Sequence, residues 1–313
     1  MPIELDHIYN EDCLQGLKKL PDACVDCVVT SPPYFAMRDY NVDGQIGLEN
    51  SLDEYIEKLT AVFTEVKRVM KEDATLWLNI GDCYATGTTA ARQESSNPGV
   101  GSNNKDAQNS VSRIGNPDGC KTKDLVGVPW LLAFSLRAAG YYLRQDIIWQ
   151  KPNAMPESVR DRCVKSHEYI FLLTKSQRYY INYDALREPA NCGVSPRHFT
   201  RRGVKPDKTA VQYESNGSND DGRRTRRDVW SICVEPSYDA KHHASFPIAL
   251  PRQCIMLGCR EGGIVLDPFM GSATTAVACI KENRHYIGYE LNPEYYEIAA
   301  ERLRIEKSQP RLF

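Results

Sequence analysis

The sequence predicts a doubly wound α/β domain on a mainly parallel sheet. Three observations carry that prediction: short apolar runs with little alternation, amphipathic runs between them, and ligand-type turns closing two of the apolar runs. A strand covered by helices on both sides needs apolar side chains on both sides. The expected strands are residues 3–9, 26–30, 75–80, 143–149, 169–174, 264–267 and 285–290. Between the second and third, Ser51-Leu-Asp-Glu54 is a capping box. Tyr55, Ile56, Leu59, Val62, Phe63, Val66, Val69 and Met70 follow at three- and four-residue spacing, the stripe of a helix lying on a sheet. Asn292 and Pro293 supply an N-cap and a first-turn proline for a last helix through Tyr295, Ile298, Ala299 and Leu303.

The 313 residues suffice for one large α/β domain or two smaller ones. Thirty-nine Lys and Arg against 41 Asp and Glu leave a net charge of −2, so the average alone does not point to a polyanion. No run approaches the roughly 20 apolar residues of a membrane span, and the first residues are acidic. A cytoplasmic protein is expected. Most of the eleven cysteines, Cys27, Cys233, Cys254 and Cys279 among them, sit singly in apolar runs and read as buried reduced thiols. Cys24 and Cys27 form a C-x-x-C without a second ligand pair, so no metal is expected.

Two stretches break the pattern. Residues 86–123 hold no aromatic side chain and are dense in Gly, Ser, Asn and Thr, a composition that cannot order itself alone. It reads as a tolerated insertion or as a loop that orders on a ligand. Residues 197–227 carry nine basic residues against four acidic ones in a chain of nearly zero charge. Such runs are commonly solvated surface; a nucleic-acid contact is the functional reading.

Chemistry concentrates in two motifs. In 264–275, IVLDPFMGSATT, an apolar strand ends in Asp267, turns through Pro268 and Gly271, and enters a helix near Ser272. Such a turn offers backbone N–H groups to an anionic ligand group. It lacks the lysine of a phosphate loop and the three glycines of a dinucleotide fingerprint. Glu290 lies 19 residues beyond Gly271, at the end of the next strand, where a carboxylate can accept both ribose hydroxyls. A nucleoside without a pyrophosphate is implied. The other motif, VVTSPPY at 28–34, also closes an apolar strand. Pro32 and Pro33 remove two donors and fix two φ angles, so Ser31, the Pro32 carbonyl and Tyr34 stand on a rigid stub at the sheet rim.

Together the motifs resemble the DNA amino-methyltransferases, in which a Ser/Asp/Asn-Pro-Pro-aromatic tetrapeptide is paired with an Asp-Pro-Phe cofactor turn. The catalytic motif precedes the cofactor motif here, the permuted order of the β group. The resemblance extends through Asn10-Glu-Asp-Cys13, Trp149-Gln-Lys-Pro-Asn153, Glu168-Tyr-Ile-Phe-Leu-Leu-Thr174, Asp228-Val-Trp230 and His243-Ala-Ser-Phe-Pro247. Ala273 departs from it, standing where glycine is commoner.

The resemblance implies S-adenosyl-L-methionine as cofactor. Asp267, Phe269, Gly271 and Ser272 would line its methionine end, with Phe246 near the amino-acid group and Ser31 also among the cofactor contacts. Glu290 would hold the ribose, and Asp12 would approach the adenine with Cys13 beside it; Asp12 also reads as a helix N-cap, and the two roles coexist. Catalysis is expected from Ser31, Pro32, Pro33 and Tyr34, on a base flipped out of the duplex. Carbon-5 chemistry needs a Pro-Cys nucleophile, and none of the 18 prolines precedes cysteine.

The implied function is site-specific methylation of cytosine N4, with adenine N6 as the alternative and a non-catalytic DNA-binding protein of the same fold as the alternative of another class. The catalytic half is expected at 1–185, an inserted target-recognition region at 186–230, and the cofactor half at 231–313. Arg197, Arg201, Arg202, Arg223, Arg224, Arg226 and Arg227 are the expected DNA contacts. Double-stranded DNA, a cognate restriction nuclease and a second copy of the chain are the expected partners, with the protein on the nucleoid when bound.

Overall fold

Among the described residues, eight strands form one sheet in the order β1-β10-β9-β2-β3-β5-β4-β8. They are β1 (His7–Tyr9), β2 (Val25–Thr30), β3 (Met70–Ile80), β4 (Tyr142–Gln150), β5 (His167–Thr174), β8 (Val229–Ser231), β9 (Ile264–Asp267) and β10 (His285–Tyr289). All pairings are parallel except the two made by β5, which runs against β3 and β4. The computed structural model describes residues 4–87, 116–189, 223–235 and 246–308. Most of the polar stretch 86–123 therefore lies outside the described residues.

Side chains of β2, β3 and β9 divide by the two-residue period of a strand. Val28, Leu76, Leu78, Ile80 and Leu266 join a core with α1 (Cys13–Leu17), α2 (Leu52–Val69) and α3 (Val128–Ala138). On the other face, Thr75 donates to the Gly258 carbonyl of α4 (Ala249–Gly258). That second layer continues through α5 (Thr274–Lys281) and α6 (Pro293–Ser308). Near-continuous apolar strands are the consequence of this double cover.

The expected strands recur with altered ends. Asp6 has φ 58°, which breaks the strand expected at 3–9 and leaves His7–Tyr9. Met70, read as the end of the helical stripe, instead opens β3 with extended backbone, so helix and strand join without a loop. The Ser51 hydroxyl accepts from Glu54 N at 3.1 Å, as the capping box requires. Asn292 accepts from Glu294 N at 2.8 Å at the start of α6. Two helices lack a neighbouring capping side chain and have only a first-turn proline, Pro129 or Pro251, to mark their starts. α3 starts at Gly127 and takes its cap from Asp82, whose carboxylate accepts from Gly127 N and Val128 N at 2.9 and 3.1 Å across 45 and 46 residues. α4 starts without a side-chain cap and contains Pro251.

The chain divides into two compact units, residues 183–227 and the remainder. The smaller one holds the antiparallel hairpin β6 (Arg187–Pro189) and β7 (Arg223–Thr225). Its bounds differ from the 186–230 read from sequence, because Val229–Ser231 pairs with β4 in the main sheet and Trp230 lies 6.1 Å from Trp77, centroid to centroid. Cys27, Cys254 and Cys279 are buried as expected, whereas Cys233, just past β8, is exposed.

Candidate active site

The strand order reverses direction between β9 and β2: β9 is followed outward by β10, and β2 in the opposite direction by β3. Open α/β sheets carry ligands in the crevice at such a switch point, beyond the carboxyl ends of the strands. A cavity of about 330 Å³ opens there. Ser31, Pro32, Pro33 and Tyr34 leave β2 into it; Asp267, Phe269, Gly271 and Ser272 leave β9; Glu290 leaves β10. Asp12, Cys13 and Phe246 complete its lining, so every residue assigned to catalysis or cofactor from sequence meets in one place.

Each motif is held from outside itself. Tyr55, buried in α2, donates to the Pro33 carbonyl at 2.9 Å, which fixes the Pro-Pro stub beside the cavity that Pro32 also lines. Asp12 caps α1, its carboxylate accepting from Gln15 N at 2.9 Å, while also lining the cavity. Burial, with Asp12 adding to it, pushes the Cys13 thiol up to about 12, so it is no nucleophile.

The turn after β9 uses within the fold several of the N–H groups expected to meet a ligand. Four of its donors are spent internally: Phe269 N on Asp267, Met270 N on the Tyr289 carbonyl, Gly271 N on Glu290 and Ala273 N on the Met270 carbonyl. The helix begins at Thr274, later than the sequence implied, because Ala273 sits in the left-handed region at φ 65°. The turn also carries carboxylate. Asp267, 1% exposed, accepts from Thr30 and Thr275 hydroxyls at 2.6 Å each, tying β2, β9 and α5 together. Burial raises it to about 6 against those hydrogen bonds. Glu290 accepts Gly271 N and Asn292 N, one on each oxygen, both at 2.8 Å. Burial lifts it to about 7.

Neither carboxylate is ion-paired to a described residue. An ionised carboxylate has about four acceptor positions, so Glu290 keeps two for the hydroxyls of a ribose. Two buried carboxylates without a cation suit a ligand that brings positive charge with its nucleoside. The donor set fits a cationic nucleoside and opposes a pyrophosphate.

Sequence reasoning missed a second cluster on the same cavity. Tyr34 Oη donates to Glu168 Oε2 at 2.7 Å, Asn79 Nδ2 donates to the same oxygen at 3.1 Å, and Lys151 pairs with Glu168 Oε1. The three come from β3, β5 and the end of β4. A signal existed in each run: Asn79 is a polar side chain inside an apolar strand, and Lys151 and Glu168 adjoin two others. Gly81 makes the cluster fit, since a Cβ there would lie 2.8 Å from Tyr34 Cε2.

The expected DNA contacts are described only in part. Arg197, Arg201 and Arg202 lie outside the described residues. Arg223 donates to the Asp184 and Arg187 carbonyls, and Arg224 pairs with Glu188 at 3.0 Å, so both guanidinium groups brace the hairpin. Arg226 and Arg227 follow β7 at the end of the small unit.

Comparison with known proteins places this geometry. The family model described as DNA methylase matches residues 25–301. The chain is 43% identical to the type II methyltransferase M.Cfr9I of Citrobacter freundii over 308 residues, covering 97% of this chain and 90% of that protein. It is 45% identical to M.SmaI of Serratia marcescens over 293 residues, covering 93% and 88%. The solved PvuII DNA methyltransferase, titled cytosine-N4-specific, superposes with a TM-score of 0.64 at 16% identity, covering 98% of this chain and 87% of that one. M1.HpyAVI, solved in complex with SAM, gives 0.55 at 19% identity, covering 95% and 98%. The chain belongs to the DNA methylase family.

Proposed function

We infer that the protein transfers a methyl group from S-adenosyl-L-methionine to the exocyclic N4 of a cytosine flipped out of double-stranded DNA. The observation that carries this reading is the convergence of the Ser31–Tyr34 stub and the Asp267 and Glu290 carboxylates on one cavity. When bound, the cofactor supplies an activated sulfonium methyl; the protein's task is positioning and electrostatics.

An exocyclic amine is a weak nucleophile because its lone pair is delocalised into the ring. Ser31 Oγ and the Pro32 carbonyl are acceptors on a fixed backbone, and hydrogen bonds to them from the amine favour the pyramidal form with a free lone pair. The ring of Tyr34, anchored through its hydroxyl, offers a stacking face worth about 1–3 kcal/mol, which offsets part of the cost of extruding the base. The two carboxylates favour the cation at the cofactor side.

Serine at the first motif position and the likeness to the PvuII enzyme, named as cytosine-N4-specific, favour cytosine over adenine. The small basic unit, with Arg226 and Arg227 beside the braced hairpin, is the proposed DNA-reading element. Incubation with labelled S-adenosylmethionine and DNA, followed by digestion to nucleosides, tests the reading. Label in N4-methylcytosine is expected. Label in N6-methyladenine would overturn the base, and no label in any base would overturn the activity.

A further inference from the structure

Methylation of an exocyclic amine leaves a problem that acceptors alone do not solve. The nitrogen's lone pair forms the new N–C bond as the C–S bond breaks and its electron pair stays on sulfur. Nitrogen then carries four bonds and a positive charge, and one N–H proton must leave.

The cavity contains a directed row of hydroxyl donors. Ser31 Oγ donates to Tyr34 Oη at 3.4 Å, and Tyr34 Oη donates to Glu168 Oε2 at 2.7 Å. The phenol has one proton and two acceptors in reach; Asn79 Oδ1 is at 3.4 Å, so the shorter, charged contact holds it. Asn79 instead donates, to Glu168 Oε2 and to the Tyr169 carbonyl, both at 3.1 Å. Lys151, whose ammonium lies 4.3 Å over the Trp149 ring, holds the other oxygen. Glu168 and Lys151 side chains are 14% and 19% exposed, so the carboxylate is in reach of water.

We propose that Ser31, Tyr34 and Glu168 form a proton exit for methyl transfer, with Glu168 as its terminal acceptor. The departing proton passes from nitrogen to Ser31 Oγ, the Ser31 proton to Tyr34 Oη, and the Tyr34 proton to Glu168. The N–H pair returns to nitrogen as the neutral methylated amine, and Glu168 becomes a neutral acid that water later deprotonates. An ammonium on an electron-poor ring is a stronger acid than a carboxylic acid, so a lysine-paired carboxylate suffices as acceptor. Burial and the adjacent Glu168 hold the Tyr34 phenol well above its ordinary range, so it relays a proton without ionising. Apo distances such as 3.4 Å tighten when substrate fills a site.

The inference rests on Ser31–Tyr34 being the catalytic stub and is indifferent to which base is methylated. Its test is single-turnover methylation of a duplex that the native protein modifies, comparing Tyr34→Phe, Glu168→Gln and the double variant. Each single variant is expected to lose about 10²-fold in rate, the low end for general acid–base catalysis, with unchanged affinity for S-adenosylhomocysteine and DNA. Acting in one chain, they should combine to no more than the slower single, not to the product of both. Tyr34→Phe deletes one hydroxyl and keeps the ring, so it carries the test if Glu168→Gln fails to fold. A native rate in Tyr34→Phe, or multiplicative losses in the double variant, would overturn the relay. A native protein that methylates no DNA would instead overturn the proposed function.

Discussion

Glu290 should make cofactor binding depend on pH in a range where few carboxylates titrate. The perturbation is protonation of the free protein between pH 7.5 and 5.5. With its carboxyl raised to about 7 by burial, Glu290 is ionised in most free molecules at the upper end and in few at the lower. A bound ribose donates to the ionised form, and a cationic ligand favours it, so binding should return the group toward the ordinary range near 4.5. The sign follows: affinity is greatest above the free protein's value and falls as pH falls through it. Between those two values, affinity should drop about 20-fold on lowering the pH, just under about 2 kcal/mol, and near pH 6 binding should release about 0.9 proton. Asp267, raised to about 6, adds in the same direction. Isothermal titration with S-adenosylhomocysteine in buffers of different ionisation enthalpy reads both quantities. Glu290→Gln is the control: it removes the titration, and it sets a second donor against Gly271 N or Asn292 N, so its affinity should be low and nearly flat with pH. The difference between the two proteins cancels any titration of the ligand. Equal affinity at both pH values in the native protein, or the same slope in the variant, would refute the reasoning.

Other expectations follow from the same geometry. Asp267→Ala strands the Thr30 and Thr275 hydroxyls and Phe269 N, so it should cost stability as well as cofactor affinity, about 3 kcal/mol or more and a fall in Tm of roughly 6 °C or more; an unchanged melting curve would contradict the clasp. Ala273→Gly removes a left-handed Cβ at φ 65° and should stabilise the protein by about 1 kcal/mol in denaturant titration. Replacing Arg223, Arg224, Arg226 and Arg227 together should weaken DNA binding and lower the salt slope by up to about 3.6 if all four meet phosphates; an unchanged slope would move the DNA-binding surface elsewhere.

What could be read in the sequence was what is contiguous along it. Strand runs, the Ser51 cap and both motifs each fit within a dozen residues, and each recurs in the structure. The unread parts depend on partners far along the chain. α3 is capped by Asp82, 45 residues earlier, and the Tyr34 hydroxyl is held by Glu168, 134 residues later. The internal partners of the cofactor turn were hidden for a related reason. Its N–H groups look free in sequence because Glu290 and Tyr289, which take two of them, stand on the next strand.

The permuted order of the motifs carries no cost to the site because the sheet, not the chain, decides which motifs meet. β2 pairs with β9, with Val28 opposite Leu266, so strands from opposite ends of the sequence end side by side. Thr30 then reaches Asp267 across 237 residues at 2.6 Å, and the catalytic stub begins one residue later. A parallel sheet gathers the carboxyl ends of its strands on one edge whatever their order in sequence. β5, the antiparallel strand, is the instructive exception. Only because it runs backwards does its first turn of residues, His167 and Glu168, arrive at that edge, beside Lys151 at the end of β4. Were it parallel, Thr174 would stand there, and Tyr34 would face a neutral side chain in place of the carboxylate that orients it.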